Sequence, residues 1–240
     1  MGLQRSSLVV FGITVAVIAA CADAKPKKPV PVAPPPPPPP APVVYIPPRP
    51  TPPMGAAPTA TIPPANAAGQ RQTINTGITP NQTVWNFRSA YNVAALNCMK
   101  PAHADILVGY KAFLKTHRLG LNRANLGVNT EFRKRHGAAY IRPREAYMTK
   151  VYNFYAFPPT VNNFCEAALV MARESMKVKP IDLTAFSKRS LANLDLVFEN
   201  FYLAFEQYRA DAAAWDTRYA PKPAAAAPAP ISTPSPATGK

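Results

Sequence analysis

Apolar residues between positions 78 and 220 recur at intervals of three and four, which is the spacing of one face of an α-helix. The first stripe follows Thr79-Pro80, a pair typical of an N-cap with proline in the first turn, and predicts a helix over about 80–99. Four more stripes predict a long helix from Ile106 to Phe132 that ends at Gly137, helices that open at Pro143 and after Pro158-Pro159, and a last helix from Asp182 or Thr184 to Trp215.

Strand signals are nearly absent from the same region. It contains no Asn-Gly or Asp-Gly hairpin dipeptide and no sustained alternation of apolar and polar residues. We therefore predict an all-α globular domain over 78–220, with about five helices packed as an antiparallel bundle.

The N-terminus has a different pattern, a thirteen-residue apolar run from Leu8 to Ala20. As a helix this run would span roughly 20 Å at 1.5 Å per residue, whereas a bilayer core needs about 20 apolar residues. One cation and no acid precede it, as in a secretory signal peptide. Residues 1–20 are predicted to be that peptide, so the protein is expected to be exported.

The end of the apolar run, Ile18-Ala19-Ala20-Cys21, resembles the lipobox of bacterial lipoproteins. The resemblance implies cleavage before Cys21, lipidation of its thiol, and anchoring in the cell envelope. Because Ala22, and not Asp, follows the cysteine, it also implies the outer membrane more than the inner one. The alternative is ordinary cleavage after Ala24, at the A-x-A sequence of residues 22–24, which would release a soluble periplasmic protein.

Proline marks the ends of the globular domain. Residues 26–64 hold 19 of the 31 prolines, with seven in a row from Pro34 to Pro40, and the tail from Pro221 holds six more. Such tracts lack amide donors and favour polyproline II over helix or sheet. We predict a lipid-anchored, proline-rich disordered linker over 21–77 and a disordered tail over 221–240.

Three cysteines are present, and lipidation of Cys21 leaves Cys98 and Cys165. In an oxidising compartment two remaining cysteines usually pair, so a Cys98–Cys165 disulfide is expected between the first and fourth predicted helices. The alternative is a pair of buried free thiols.

Candidate catalytic or metal-binding residues are scarce. The three histidines, His103, His117 and His136, follow no ligand spacing, and His117 lies on the apolar stripe of the second predicted helix. The glutamates are scattered, and no pair of catalytic carboxylates stands out. No catalytic residue, metal site or cofactor is predicted.

Charge is the remaining signal, since the chain carries a formal net charge of +15. Residues 100–150 hold eleven Lys or Arg and three acids. On one continuous helix, cations and amides would share a face that could bind an anionic polymer; the six cations proposed for this role are Lys111, Lys115, Arg118, Arg133, Lys134 and Arg135. The alternatives are a solvated face and, for residues 133–135, stabilisation of a helix C-terminus.

The sequence therefore favours a non-enzymatic binding or scaffold module of the cell envelope. Its expected partners are the membrane, through the lipid anchor, and cell-wall glycan, lipopolysaccharide, phospholipid head groups or an envelope protein. Export disfavours nucleic acid. The alternative is an envelope enzyme acting on wall or lipid substrates, which should have a concave pocket with convergent polar groups and a perturbed pKa, whereas a scaffold should have a convex basic surface.

Overall fold

The computed structural model describes residues 44–221. The chain divides at residue 45 into two units, and the second, from Ile46, contains the helical domain described below. The predicted signal peptide, the lipidation site Cys21, the first part of the linker and the tail from residue 222 lie outside the described residues.

Six α-helices make up most of the described chain. They are α1 (Pro80–Asn97), α2 (Ala104–Thr116), α3 (Arg118–His136), α4 (Ile141–Tyr155), α5 (Val161–Ser175) and α6 (Leu183–Tyr219). The only β pairing within residues 44–221 is an isolated bridge between Ala65 and Arg71. The all-α prediction is confirmed for this part of the chain.

Helix α1 begins where the sequence predicts and lies at the centre of the domain. The Thr79 side chain accepts a hydrogen bond from the Gln82 amide, and the Gln82 side chain accepts one from the Thr79 amide, which forms a capping box. The buried residues of α1 include Phe87 and Tyr91, and the helix contacts all five of the others. The other helices therefore pack around α1.

The long second helix predicted from residue 106 to 132 is two helices in the structure. His117, with φ −102° and ψ 13°, separates α2 from α3. The apolar stripe does not reveal this break, because Phe113 before it, His117 at it and Leu121 after it are all buried. A single non-helical residue divides the helix without moving the apolar positions off the core.

The last helix, α6, carries much of the core. Phe186, Phe198, Phe201 and Phe205 are at most 1 % exposed, and the Phe186 ring meets Phe87 of α1 edge to face at 5.3 Å between centroids. Such aromatic contacts add to the free energy gained by burying these rings.

The prediction of a disordered linker over 21–77 does not hold for residues 46–77, which we call the N-terminal segment. Arg49 donates two hydrogen bonds to Asp216 on α6, at 2.8 and 2.7 Å, and Arg209 of α6 donates one to the Ala60 carbonyl at 2.8 Å. The composition of the segment resembles a linker because it is rich in proline up to Pro64. Because side chains of α6 form hydrogen bonds with the N-terminal segment, the packed part of the chain begins near Ile46 and not at residue 78.

Candidate functional site

Three of the predicted cations lie around the break between α2 and α3. Lys111 and Lys115 are one turn apart on α2, and Arg118 is the first residue of α3. All three side chains are exposed. We call these three residues the junction cluster.

The other three, Arg133, Lys134 and Arg135, lie in the last turn of α3 and are also exposed. Arg133 donates a hydrogen bond to the Tyr140 hydroxyl at 3.0 Å and stacks on its ring, and the Arg135 guanidinium lies 4.9 Å from the centre of the Phe132 ring. Cations in the last turn also offset the partial negative charge of a helix C-terminus. This C-terminal cluster therefore has local structural contacts that the junction cluster does not show.

The structure does not bring the two clusters together. Arg118 and Arg133 are fifteen residues apart on α3, which corresponds to roughly 22 Å along its axis. The break at His117 also interrupts the helical face on which the sequence placed Lys111, Lys115, Arg118 and Arg133. They form two separate basic surfaces.

None of the six cations forms an ion pair with a carboxylate in residues 44–221. The arginines that do form such pairs lie elsewhere: Arg49, Arg71, Arg144, Arg173 and Arg189. Acidic neighbours would otherwise reduce the potential of the basic surfaces. Within residues 44–221, no carboxylate neutralises the charges of the junction cluster through an ion pair.

Cys98 and Cys165 lie where the sequence predicts, at the end of α1 and on α5. Their sulfur atoms are 2.03 Å apart and their Cα atoms 5.5 Å apart, within the usual range for a disulfide. Next to this pair, His103 Nε2 is 2.9 Å from the carboxylate of Glu166. Both contacts join the connection between α1 and α2 to α5.

His117 is a core residue, in agreement with its place on the apolar stripe. It is 1 % exposed, and its ring lies 4.8 Å from that of Phe113. Neither ring nitrogen has a hydrogen-bond partner in the described chain, and burial lowers the pKa of the imidazole. A neutral, buried ring suits packing.

A cleft of about 380 Å³ lies between the N-terminal segment, the start of α1 and α6. Its polar lining includes Asn75, Thr83, Thr184, Lys188 and Asp195. A second cavity, of about 440 Å³, shares Asn75 and Asp195. The Asp195 carboxyl therefore lies between two concave surfaces.

A chain of hydrogen bonds leads from the core to this carboxyl. The Tyr147 hydroxyl donates to Asn86 Oδ1, Asn86 donates to Asn75 Oδ1, and Asn75 donates to both Asp195 oxygens. The Tyr155 hydroxyl also donates to Asp195, at 3.3 Å. Burial nevertheless raises the pKa of Asp195 to about 7, because desolvation outweighs these hydrogen bonds.

The sequence gives little indication of this cleft. Asn75 belongs to a stretch interpreted as linker, and Asp195 lies on α6 among apolar residues with no characteristic spacing. The one available signal is composition, because no proline occurs between Pro64 and Pro80. That change marks the part of the presumed linker that enters the polar network.

Residues 44–221 contain no group of three His, Cys, Asp or Glu side chains placed to hold a metal ion. None of the helices in this range is both long and apolar enough to cross a membrane. Comparison of the chain with protein-family models, curated proteins and solved structures found no match.

Proposed function

We propose that this protein is an exported, lipid-anchored module of the bacterial cell envelope that binds anionic envelope material without catalysing a reaction. The observation that carries this proposal is the junction cluster, in which Lys111, Lys115 and Arg118 are exposed and unpaired within the described chain. Cations that neighbouring acids do not neutralise attract anions over a Debye length of about 8 Å at physiological ionic strength.

Export and anchoring rest on the N-terminal sequence. The apolar run that ends at Cys21 supports lipidation, and Ala22 favours the outer membrane; a secreted periplasmic protein is the alternative. The pairing of Cys98 with Cys165 supports export, because disulfides form and persist in oxidising compartments. For the domain itself we propose an antiparallel bundle, supported by the short connections between α4, α5 and α6.

The test is retention on isolated envelope. A variant with Lys111→Gln, Lys115→Gln and Arg118→Gln should lose most of its binding at low salt and keep the thermal stability of the wild type, because exposed charges contribute about 0–1 kcal/mol each. The matched control replaces three exposed cations outside both clusters, Arg142, Lys150 and Arg218, with Gln. Equal binding by both variants and the wild type would refute the proposal.

A second candidate, an envelope enzyme, is favoured by the cleft beside Asp195. The cleft is concave, has convergent polar groups and contains a carboxyl whose pKa is raised to about 7. These are features of a general acid or base near neutral pH. If the cleft is catalytic, the wild type should release soluble sugar or fatty acid from isolated wall or lipid, and Asp195→Asn should not.

A further inference from the structure

Two large apolar side chains are exposed at one corner of the domain. Leu119, in the first turn of α3, is 72 % exposed, and Ile181, in the connection from α5 to α6, is 87 % exposed. A soluble protein normally exposes such side chains singly, so their position relative to each other decides whether they form a surface.

The structure places these two elements side by side. A cavity of about 230 Å³ is lined by Lys115, Arg118 and Leu119 on one side and by Pro180, the neighbour of Ile181, on the other. A Cβ atom on Gly120 would lie 2.5 Å from Leu183 Cδ2, so the first turn of α3 lies directly against the start of α6. The two apolar side chains therefore belong to the same corner.

Cations lie close to these apolar residues along the chain. Lys115 and Arg118 come from the junction cluster, and Lys177 and Lys179 precede Pro180 in the α5–α6 connection; all four are exposed. None of them forms an ion pair within residues 44–221. The connection contains one carboxylate, Asp182, so cations outnumber acids at this corner.

We propose that this corner, which we call the lipid-facing corner, docks on the anionic surface of a lipid bilayer. Leu119 and Ile181 enter the boundary between head groups and acyl chains, and the surrounding cations contact the phosphates. This inference rests on the proposed function and names its partner. Exposed apolar side chains flanked by cations suit the surface of an anionic bilayer, whereas a hydrated glycan has no apolar layer in which they could be buried.

The expected changes in affinity indicate that the apolar contacts and the charged contacts both contribute to binding. Each basic residue close to an anionic surface strengthens binding by about fivefold, and each large apolar side chain removed from water strengthens it by about tenfold or more. Removing both apolar side chains should therefore weaken binding to anionic vesicles by roughly a hundredfold. Removing the charges should remove the preference for anionic lipid.

The experiment uses the mature chain, residues 21–240, with Cys21→Ser so that no acyl chain contributes to binding. It is sedimented with vesicles of phosphatidylglycerol and phosphatidylethanolamine, or of phosphatidylcholine alone. The chain should sediment with the anionic vesicles, and less of it should do so as salt is added. With the neutral vesicles, the chain should remain in the supernatant.

Two matched variants test the apolar contribution. Leu119→Ser with Ile181→Ser should weaken vesicle binding about a hundredfold. Leu96→Ser with Leu203→Ser, which removes two other exposed leucines, should bind like the parent chain. Circular dichroism should show the same melting curve for both variants, because all four side chains are exposed.

Parent-like vesicle binding by the Leu119→Ser, Ile181→Ser variant would overturn the inference, as would equal binding to neutral vesicles. If the chain binds isolated envelope in a charge-dependent manner but does not bind vesicles, the proposed function stands and the lipid inference fails. The anionic partner is then a wall glycan or an envelope protein.

Discussion

Asn75 donates its side-chain amide to both carboxylate oxygens of Asp195, at 2.8 and 3.0 Å. The two residues are 120 positions apart, and the contact joins the N-terminal segment to the middle of α6. Because Asn75 also accepts a hydrogen bond from Asn86 of α1 and donates one to the Tyr155 hydroxyl of α4 at 2.6 Å, one amide links the segment to three helices. This arrangement makes the attachment of the segment sensitive to the protonation of Asp195.

The first prediction concerns stability against pH. The pKa of Asp195 is raised from 3.8 to about 7 in the folded protein, so between these values the native state holds a proton that the unfolded chain has released. Its contribution to the free energy of unfolding should therefore fall as pH rises from about 4 to about 7, by at most about 4 kcal/mol. Urea unfolding at pH 4 and pH 8 measures this change.

The control is Asp195→Asn, which removes the titrating group and should abolish that loss. His117 acts in the opposite direction, because its lowered pKa increases stability as pH rises towards 6.5, so the difference between wild type and variant is the relevant quantity. Tyr155 and Tyr202, which lie near Asp195, have raised pKa values and do not titrate in this range. Identical pH profiles for the two proteins would contradict the prediction.

The second prediction concerns Arg71, whose side chain is 6 % exposed and pairs with Glu199 at 3.3 Å and Glu206 at 2.7 Å on α6. Arg71→Gln should lower the free energy of unfolding by about 1–3 kcal/mol, since it breaks charge-assisted hydrogen bonds of a buried group. The N-terminal segment should then be cleaved faster in limited proteolysis. Arg49→Gln, which breaks an exposed pair screened by solvent, should lower the free energy of unfolding less than Arg71→Gln does.

The third prediction concerns the Cys98–Cys165 pair, which closes a sequence separation of 67 residues. In the chain-entropy model such a link stabilises the fold by about 4 kcal/mol. A reducing agent should lower the urea midpoint of the oxidised protein accordingly. The double variant Cys98→Ser, Cys165→Ser should have a low midpoint that the reducing agent does not change; a reductant-insensitive wild type would show that the bond does not form.

The fourth prediction concerns Cys21. Cells given labelled palmitate should incorporate it into the wild type and not into Cys21→Ser, because the thiol is the expected attachment point. Persistent labelling of Cys21→Ser would exclude this residue as the lipidation site.

The helices of this protein are largely predictable from its sequence. Thr79 and Pro80 begin α1 because capping depends only on neighbouring residues, and the stripe from Leu194 to Ala212 is buried along α6. Both signals are local, and both survive folding because each helix buries its apolar face. The pairing of Cys98 with Cys165 could likewise be predicted, since only two cysteines remain after Cys21.

Only the tertiary structure decided three features of this protein. They are the break at His117, the attachment of residues 46–77 and the Asn75–Asp195 contact. The break leaves the apolar periodicity intact, and the other two depend on groups more than a hundred positions apart, such as Arg71 and Glu206. Periodicity reports which face of a helix is buried but not which distant side chain meets it. The separation of the six cations into two surfaces follows from the length of α3, because Arg118 and Arg133 lie near its opposite ends.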